Sequence, residues 1–282
     1  MNAESFLKSL KILYPEETDN MKKVLTIAGS DCSGGAGIQA DIKTISAHGM
    51  YAMSVITALT SQNTTGVSGI FNVTPEFVSM QLESIFTDIY PDSIKTGMMS
   101  EPAIIEAVSE SLKKHNAANI VVDPVMVSTS GSRLLSEDAV NTLTEKLFPL
   151  ARIITPNIPE AEVLSGIKIS STDDMKKAAL IISEKTPAAI LVKGGHRVSD
   201  ATDILTENGI SYVFSSERID NPNTHGTGCT LSSAIACNLA EGLSVEESIS
   251  KAKDYLTGAL KTQLNLGKGS GPLNHMYFLK SY

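Results

Sequence analysis

Short apolar runs alternate along the chain with stretches in which apolar residues recur at helical spacing. The apolar runs have the length of buried strands and occupy residues 24–28, 54–59, 93–96, 119–122, 153–155 and 189–192. The helical stretches occupy residues 38–49, 75–88, 100–115, 136–147, 172–185, 231–240 and 244–262. Strands that alternate with helices form right-handed βαβ units. The pattern therefore predicts an α/β fold with a mostly parallel central sheet and helices on both of its faces.

Capping and turn residues mark several of the predicted boundaries. Ser100 and Ser136 are predicted N-caps, and Ser244 opens a capping-box pattern at the start of the last long helix. Residues 203–206 and 210–214 flank an Asn-Gly pair, which is typical of a tight β-hairpin. We expect this one clear hairpin to lie at the edge of the sheet.

The first twenty residues differ from the rest of the chain. Their apolar positions recur at helical spacing until Pro15 interrupts them, and they lack the long apolar core of a signal peptide. We expect residues 1–20 to be an appendage with a short helix. Residues 21–282 show no break in composition and are predicted to form a single domain.

Composition limits the kind of partner. The chain has 282 residues, of which 42% are hydrophobic and 19% are charged, as in an ordinary soluble protein. Its net charge of -8 argues against coating of nucleic acid, although a local phosphate site is compatible with it. No apolar run has the length of a membrane span, and three cysteines do not make a disulfide framework. We therefore expect a cytoplasmic protein that binds neither nucleic acid nor membranes.

Two glycine-rich loops each precede a predicted helix. The first covers residues 29–37, and the second consists of His225, Gly226, Thr227, Gly228, Cys229 and Thr230. Glycines let a backbone approach a ligand closely, and a helix N-terminus points unpaired N–H groups at an anion. The first loop has neither the ending of a P-loop nor the spacing of a dinucleotide fingerprint. Taken alone, the second loop fits an anion site and an ordinary turn before a core helix equally well.

Polar or unusual residues recur where the predicted parallel strands end, which is the edge at which α/β sheets bind ligands. These residues are Asp31, Gln62, Met98, Asp123, Asn157, Glu160 and Lys193. Singly, Asp123 could be a turn residue, Glu160 a helix-start carboxylate and Lys193 a solvated strand end. Together they offer carboxylates for Mg²⁺ and a lysine for phosphate charge. The set favours phosphoryl transfer.

Seven segments also carry a family resemblance. They read AGSDCSGGAGIQAD (28–41), ALTSQNT (58–64), KTGMM (95–99), DPVM (123–126), TPNIPEA (155–161), VKGGH (192–196) and HGTGCT (225–230). In this order they resemble the hydroxymethylpyrimidine and phosphomethylpyrimidine kinases of thiamin biosynthesis, and residues 271–275 are similar to the family's end. The resemblance implies a ribokinase-like fold, a homodimer, and ATP and Mg²⁺ as cofactors. The implied substrate is 4-amino-5-hydroxymethyl-2-methylpyrimidine, phosphorylated first at its hydroxyl and then again to the diphosphate.

The resemblance also implies a role for each matching residue. The pyrimidine pocket would be lined by Gly29, Gln62, Met98 and Val125. The ATP site would be formed by Thr155, Asn157 and Lys193, and Mg²⁺ would lie near Asp123 and Glu160. The moving phosphoryl group would be held by the backbone of Gly226, Thr227, Gly228 and Cys229. Gln62 suits an aminopyrimidine because a carboxamide supplies both a donor and an acceptor.

Cys229 is expected to be the base that takes the proton of the substrate hydroxyl. An ordinary thiol has a pKa of about 8.5, and the helix N-terminus is expected to lower it by roughly one or two units. Elsewhere, Cys237 is predicted to be a core residue, Cys32 a bystander and Asp41 structural. Residues 126–135 are predicted to form a mobile lid over the site, with a plain surface loop as the alternative.

Two other functions remain open from the sequence. A pyridoxal kinase of the same subfamily shares the fold, the glycine-rich loops and the cysteine, and Gln62 is the residue expected to discriminate against it. A non-catalytic vitamin-binding protein on the same scaffold is the second alternative. It is disfavoured because Asp123, Glu160, Lys193 and Cys229 are all present.

Overall fold

One mixed sheet organises the chain. The computed structural model describes residues 21–126, 135–195, 201–216 and 219–279, and within these ranges the strands form a single nine-stranded sheet. The predicted appendage at residues 1–20 lies outside the described residues, as does most of the predicted lid. Within the described ranges, no helix is both long and apolar enough to cross a membrane.

The strands follow the predicted alternation. They are β1 (Lys23–Asp31), β2 (Tyr51–Asn63), β3 (Gly66–Asn72), β4 (Ser93–Thr96), β5 (Ile120–Val122), β6 (Ile153–Ile154), β7 (Ala189–Val192), β8 (Ala201–Glu207) and β9 (Ile210–Ser216). Their order in the sheet is β3-β2-β1-β4-β5-β6-β7-β8-β9. Neighbours from β2 to β7 pair in parallel, whereas β3, β8 and β9 pair antiparallel. The predicted, mostly parallel α/β sheet is confirmed.

Helices cover both faces of the sheet. They are α1 (Gly37–Ala47), α2 (Pro75–Phe86), α3 (Pro102–Lys114), α4 (Glu137–Thr142), α5 (Ile158–Ser165), α6 (Thr172–Ser183), α7 (Thr227–Ala240) and α8 (Val245–Lys261). Buried residues of α1, α7 and α8 form one core, and those of α2 to α6 form the other. Most strand residues between the two cores are apolar, as is usual for buried parallel strands, although β4 also buries Ser93, Lys95 and Thr96.

The sheet has a hairpin at each edge. The β8–β9 hairpin is where the sequence predicts it, and its turn residues Asn208 and Gly209 both have positive φ angles, of 52° and 76°. The expectation of one hairpin is wrong, because β2 continues to Asn63 and turns back into antiparallel β3. This segment is rich in Ser, Thr and Asn and β3 is largely exposed, so it lacks the apolar alternation of a half-buried strand.

Several helix boundaries differ from the predicted ones. Ser136 and Ser244 are N-caps as predicted. Ser100 is not, because its hydroxyl donates to Oδ1 of Asn72 over 2.7 Å, and Glu101 precedes α3 instead. The helix that follows Ser136 is α-helical only to Thr142 and continues as a π turn and a 3₁₀ turn.

Candidate active site

The N-terminus of α7 interlocks with the first glycine-rich loop. Gly226 precedes α7 with a φ of 84°, a left-handed conformation that favours glycine. A Cβ atom at Gly226 would lie 1.9 Å from the carbonyl oxygen of Gly35. A Cβ atom at Gly35 would in turn lie 2.3 Å from Cδ2 of His225. The two loops therefore need glycine at both positions and form one continuous surface.

Cys229 lies in the first turn of α7, but its protonation differs from the prediction. The thiol has a hydrogen bond with the backbone of Gly37, the first residue of α1, so two helix N-termini approach it. Burial nevertheless raises the pKa of Cys229 to about 11, and the Lys95 ammonium opposes this only in part. The expected lowering is wrong because desolvation of the thiolate outweighs the helix ends. At neutral pH Cys229 is a thiol.

Lys193 faces the start of α7. Its Nζ donates to Oδ1 of Asp123 over 2.8 Å, and Oγ1 of Thr155 donates to the same oxygen over 3.3 Å. A Cβ atom at Gly228 would lie 3.4 Å from Nζ of Lys193 and 3.5 Å from Oδ2 of Asp123. Four predicted site residues from separate segments thus meet. The alternative of a solvated strand end for Lys193 is wrong, because its side chain is 14% exposed.

The Lys193 ammonium is charged despite its burial. Burial alone would lower its pKa, but the carboxylates of Asp123 and Glu160 outweigh this effect and raise it. A positive charge is therefore fixed beside the N-terminus of α7, whose own dipole is positive. The arrangement favours a strongly anionic ligand.

Asn157 and Glu160 form a reciprocal capping box at the start of α5. Oδ1 of Asn157 accepts from the backbone of Glu160 over 2.9 Å, and Oε2 of Glu160 accepts from the backbone of Asn157 over 2.8 Å. Oε1 of Glu160 accepts from the backbone of Met126 over 3.1 Å. The alternative interpretation of Glu160, as a carboxylate that stabilises the start of a helix, is therefore confirmed. Burial raises the pKa of Glu160, against the effect of the nearby Lys193.

The carboxylates fit one kind of Mg²⁺ site. Among the described residues, no three acidic, histidine or cysteine side chains cluster as a metal cage. Asp123 and Glu160 are close enough to interact electrostatically, and both face Lys193. Mg²⁺ in kinases keeps several waters and is held by one or two carboxylates together with substrate phosphates. These two residues fit that arrangement.

The predicted pyrimidine pocket is assembled in part. A Cβ atom at Gly29 would lie 2.6 Å from Cε of Met98, so these two pocket residues touch. The parallel register of β1 shifts between Ala28 and Ser30, which places Gly29 at an irregularity of the central strand. Val125 follows Asp123 by two residues and is partly exposed.

Gln62 lies on the β2–β3 hairpin and contacts the second glycine-rich loop through His225. Its Nε2 atom lies 3.2 Å from Nε2 of His225, and its Oε1 atom lies 3.2 Å from Oγ1 of Thr60. Nε2 of His225 also lies 2.8 Å from Oδ2 of Asp31. No role was predicted for His225, although a lone histidine between a turn and two glycines is a signal for one.

A buried ion pair lies beneath the site and was not predicted. Nζ of Lys95 donates to both oxygens of Asp41, over 3.0 and 2.8 Å, and both side chains are fully buried. Thr26 and Ser233 donate to the same carboxylate. Asp41 is thus structural, as expected. The signal for Lys95 is a single lysine inside an otherwise uncharged buried strand.

The fold and the site together define a class of protein. A mostly parallel sheet carries, at the carboxyl ends of its strands, a helix N-terminus that faces a buried lysine–aspartate pair. That arrangement is typical of ribokinase-like small-molecule kinases.

Comparison with known proteins gives the family. A phosphomethylpyrimidine kinase family profile matches residues 31–274. The chain is 49% identical, over 90% of its length, to the thiamine biosynthesis bifunctional protein ThiED of Geobacter sulfurreducens, of which it spans 52%. It is 44% identical to the hydroxymethylpyrimidine/phosphomethylpyrimidine kinase of Streptomyces coelicolor, with 91% of this chain and 95% of that protein covered. The chain belongs to the phosphomethylpyrimidine kinase family, and it is a kinase.

Solved structures agree with this assignment. The phosphomethylpyrimidine kinase of Clostridium difficile is 49% identical with a TM-score of 0.76, covering 84% of this chain and 99% of that one. An ADP complex of Bacillus subtilis pyridoxal kinase is 38% identical with a TM-score of 0.85, covering 92% and 99%. The predicted ribokinase-like fold and family resemblance are confirmed.

Proposed function

We propose that this chain transfers the γ-phosphoryl group of ATP to the hydroxyl of 4-amino-5-hydroxymethyl-2-methylpyrimidine, and then phosphorylates the monophosphate to the diphosphate. The observation that carries the proposal is the meeting of Gly228 with Lys193 and Asp123 at the N-terminus of α7. Phosphoryl transfer depends on positioning and charge neutralisation, which these groups supply. The names of the relatives support the choice of substrate.

The residue roles follow from this placement. Lys193 holds the phosphates of ATP, and the backbone N–H groups of residues 226–229 hold charge on the moving group. Thr155 and Asn157 form the floor of the nucleotide site. Gly29, Met98 and Val125 surround the pyrimidine ring, whose amino group and ring nitrogen pair with Gln62.

Cys229 takes the proton of the acceptor hydroxyl in this account. Because it rests as a neutral thiol, it must first release its own proton to water, and only the resulting thiolate accepts the proton of the hydroxyl. Phosphoryl transfer through a loose transition state requires little deprotonation of the nucleophile at the start. The proton therefore leaves late, when the phosphoryl group is already bonding to the hydroxyl oxygen.

Asp123 and Glu160 are proposed to be the residues that would hold Mg²⁺ when ATP is bound. When bound, it would supply Lewis-acid neutralisation of the phosphate charge. Removal of divalent ions with EDTA should abolish ADP release, and added Mg²⁺ should restore it. Full activity in EDTA would contradict a role for the metal.

The test of the function is ADP release from Mg-ATP with three acceptors: hydroxymethylpyrimidine, its monophosphate and pyridoxal. We expect turnover on both pyrimidines and a much lower kcat/KM for pyridoxal. Pyridoxal is the relevant competitor because a pyridoxal kinase of known structure has the same fold. A preference for pyridoxal would keep the kinase class and overturn the proposed substrate.

A homodimer is proposed through the β2–β3 hairpin. Leu59 and Phe71 are paired across these strands and are 48% and 70% exposed. Apolar side chains exposed next to one another on a sheet edge are typical of a protein interface. Sedimentation should give the mass of two chains, and Phe71→Asp should give one. A monomeric unsubstituted chain would contradict the proposal.

Residues 21–282 are proposed to be one kinase domain with residues 1–20 as an appendage. The support is the single sheet that joins all the described strands. A chain that begins at Met21 should retain kcat and KM, and a loss of either would give the appendage a function. The protein is further proposed to be cytoplasmic, since its three cysteines are free thiols, and cell fractionation tests this.

A further inference from the structure

A single nitrogen atom of His225 is shared by two polar side chains. Its Nε2 lies 2.8 Å from Oδ2 of Asp31 and 3.2 Å from Nε2 of Gln62. His225 is 5% exposed and Asp31 is 2% exposed, so water does not replace the contact between them. The position of one proton on this ring therefore governs both neighbours.

Asp31 determines which ring nitrogen of His225 carries that proton. Its Oδ1 accepts from the backbone and the hydroxyl of Ser33, and its Oδ2 accepts from the backbone of Gly35 and Ala36. Burial opposes the charge, but hydrogen bonds from His225 and Ser33 outweigh it and hold the pKa of Asp31 well below its usual range. An ionised carboxylate is only an acceptor. Nε2 of His225 must therefore carry a hydrogen.

A hydrogen on Nε2 of His225 conflicts with the NH₂ group of Gln62, which lies 3.2 Å away. An Nε2–H group of His225 directed at the NH₂ group of Gln62 would place two donors against each other. A second conflict arises at Thr60, whose hydroxyl donates to the carbonyl oxygen of Ser30 over 2.9 Å. That hydroxyl has no further hydrogen for Oε1 of Gln62. Exchanging the oxygen and nitrogen of the carboxamide leaves the distances unchanged and removes both conflicts.

We infer that Asp31 and His225 are positioning residues that set the orientation of the Gln62 carboxamide. Its oxygen is a second, more distant acceptor of the Nε2–H hydrogen that His225 donates to Asp31, and its NH₂ group donates to Oγ1 of Thr60. One lone pair of the oxygen and one hydrogen of the NH₂ group are then left for a ligand. The side chain presents its acceptor on the His225 side and its donor on the Thr60 side.

The orientation specifies how a substrate lies in the pocket. A ligand must place a donor toward His225 and an acceptor toward Thr60, so an aminopyrimidine would put its amino group next to His225 and its ring nitrogen next to Thr60. This consequence rests on the proposed function, whereas the orientation itself does not. Sites that hydrogen-bond a substrate group discriminate strongly against an analogue that lacks it.

The orientation is tested without turnover by long-range ¹H–¹⁵N correlation NMR of the unsubstituted protein. The signals of His225 are assigned by their loss in His225→Gln. We expect a hydrogen on Nε2 of His225, in either the neutral or the charged ring. An Nε2 without a hydrogen would overturn the inference, whatever the substrate proves to be.

The consequence for specificity is tested by kinetics. The readout is the ratio of kcat/KM for hydroxymethylpyrimidine to that for 5-hydroxymethyl-2-methylpyrimidine, which lacks the amino group. Asp31→Asn and Thr60→Val should each lower this ratio about tenfold, and Thr60→Ser should restore it. In a Gln62→Ala background neither substitution should change the ratio further, because both act through Gln62.

A matched control is Glu83→Gln. Glu83 is also a carboxylate bonded to a histidine, with Nε2 of His115 at 3.0 Å, but it lies at the surface on α2. Glu83→Gln should leave the ratio of the two kcat/KM values unchanged. An unchanged ratio in Thr60→Val, or equal losses with and without Gln62, would overturn the inference. Failure of the unsubstituted chain to phosphorylate either pyrimidine would instead overturn the proposed function, and the NMR result would still decide the orientation.

Discussion

At the scale of single residues, burial decides which groups carry charge. Cys229 stays neutral although two helix N-termini approach it, because its thiolate would be desolvated. Lys193 stays charged in a similar setting because Asp123 contacts it directly. A contact partner therefore matters more for charge at this site than a helix dipole does.

The role of Cys229 gives a prediction at this scale. Cys229→Ala should lower kcat by about 10²- to 10⁴-fold, the usual contribution of a positioned acid or base, with little change in pyrimidine binding. Cys229→Ser should be about as impaired, since a hydroxyl is a weaker acid than a thiol and its alkoxide is harder to form. Stopped-flow or coupled ADP assays measure kcat, and calorimetry measures binding. A serine variant with near-normal kcat would show that Cys229 only fills space.

Some properties of single residues could be predicted from the sequence, and others could not. The position of Gln62 and Lys193 at the carboxyl ends of strands could be predicted, because each follows an apolar run, whereas their roles in ligand binding stay predictions. The pair of Asp31 and His225 could not be predicted, because these residues are 194 positions apart and meet only when the first glycine-rich loop packs against the loop before α7. The pKa of Cys229 was mispredicted because burial is a property of the whole neighbourhood.

At the scale of elements, the site depends on how closely the two glycine-rich loops approach. Most of the strands of the central sheet and of the helices that flank it could be predicted from alternation, because most buried parallel strands are continuously apolar, but α5 was not among them. The β2–β3 hairpin could not, because an exposed edge strand rich in Ser and Thr reads as a loop. The close approach of Gly226 to Gly35 could not be predicted from the sequence of either loop by itself.

Glycine substitutions test the interlock. Gly226 and Gly242 flank α7 and have φ angles of 84° and 83°, but only Gly226 has a neighbour within 4 Å of its Cβ position. Gly242→Ala should reduce stability by about 1–2 kcal/mol through backbone strain and leave kcat unchanged. Gly226→Ala should in addition lower kcat about a hundredfold, because the start of α7 has to move away from Gly35. Chemical denaturation and ADP assays measure the two effects, and equal kcat values in both variants would argue against the interlock.

At the scale of the whole molecule, the C-terminal segment is fixed to the core by a buried histidine. Nε2 of His275 lies 3.0 Å from Oγ1 of Thr230 in α7, and the residue is 3% exposed. Burial, with a further contribution from Lys43, lowers the pKa of His275 to about 4. Folding therefore requires the neutral ring.

This requirement gives a pH dependence of stability. The folded pKa is depressed, so the unfolded chain binds more protons between about pH 6.5 and pH 4, and stability falls as the pH falls through that range. The loss attributable to His275 is on the order of 3 kcal/mol. His275→Gln, which can keep a hydrogen bond to Thr230, should flatten this part of the profile. Parallel urea-unfolding profiles for the two proteins from pH 7 to pH 4.5 would contradict the assignment.

Both proposed phosphorylations can be followed in one experiment, by ³¹P NMR of the products formed from Mg-ATP and hydroxymethylpyrimidine. We expect the signal of a pyrimidine monophosphate ester to appear first and to be replaced by the two coupled signals of the diphosphate while ADP accumulates. Conversion of ATP only to ADP and inorganic phosphate, or no consumption of ATP, would contradict the proposed function.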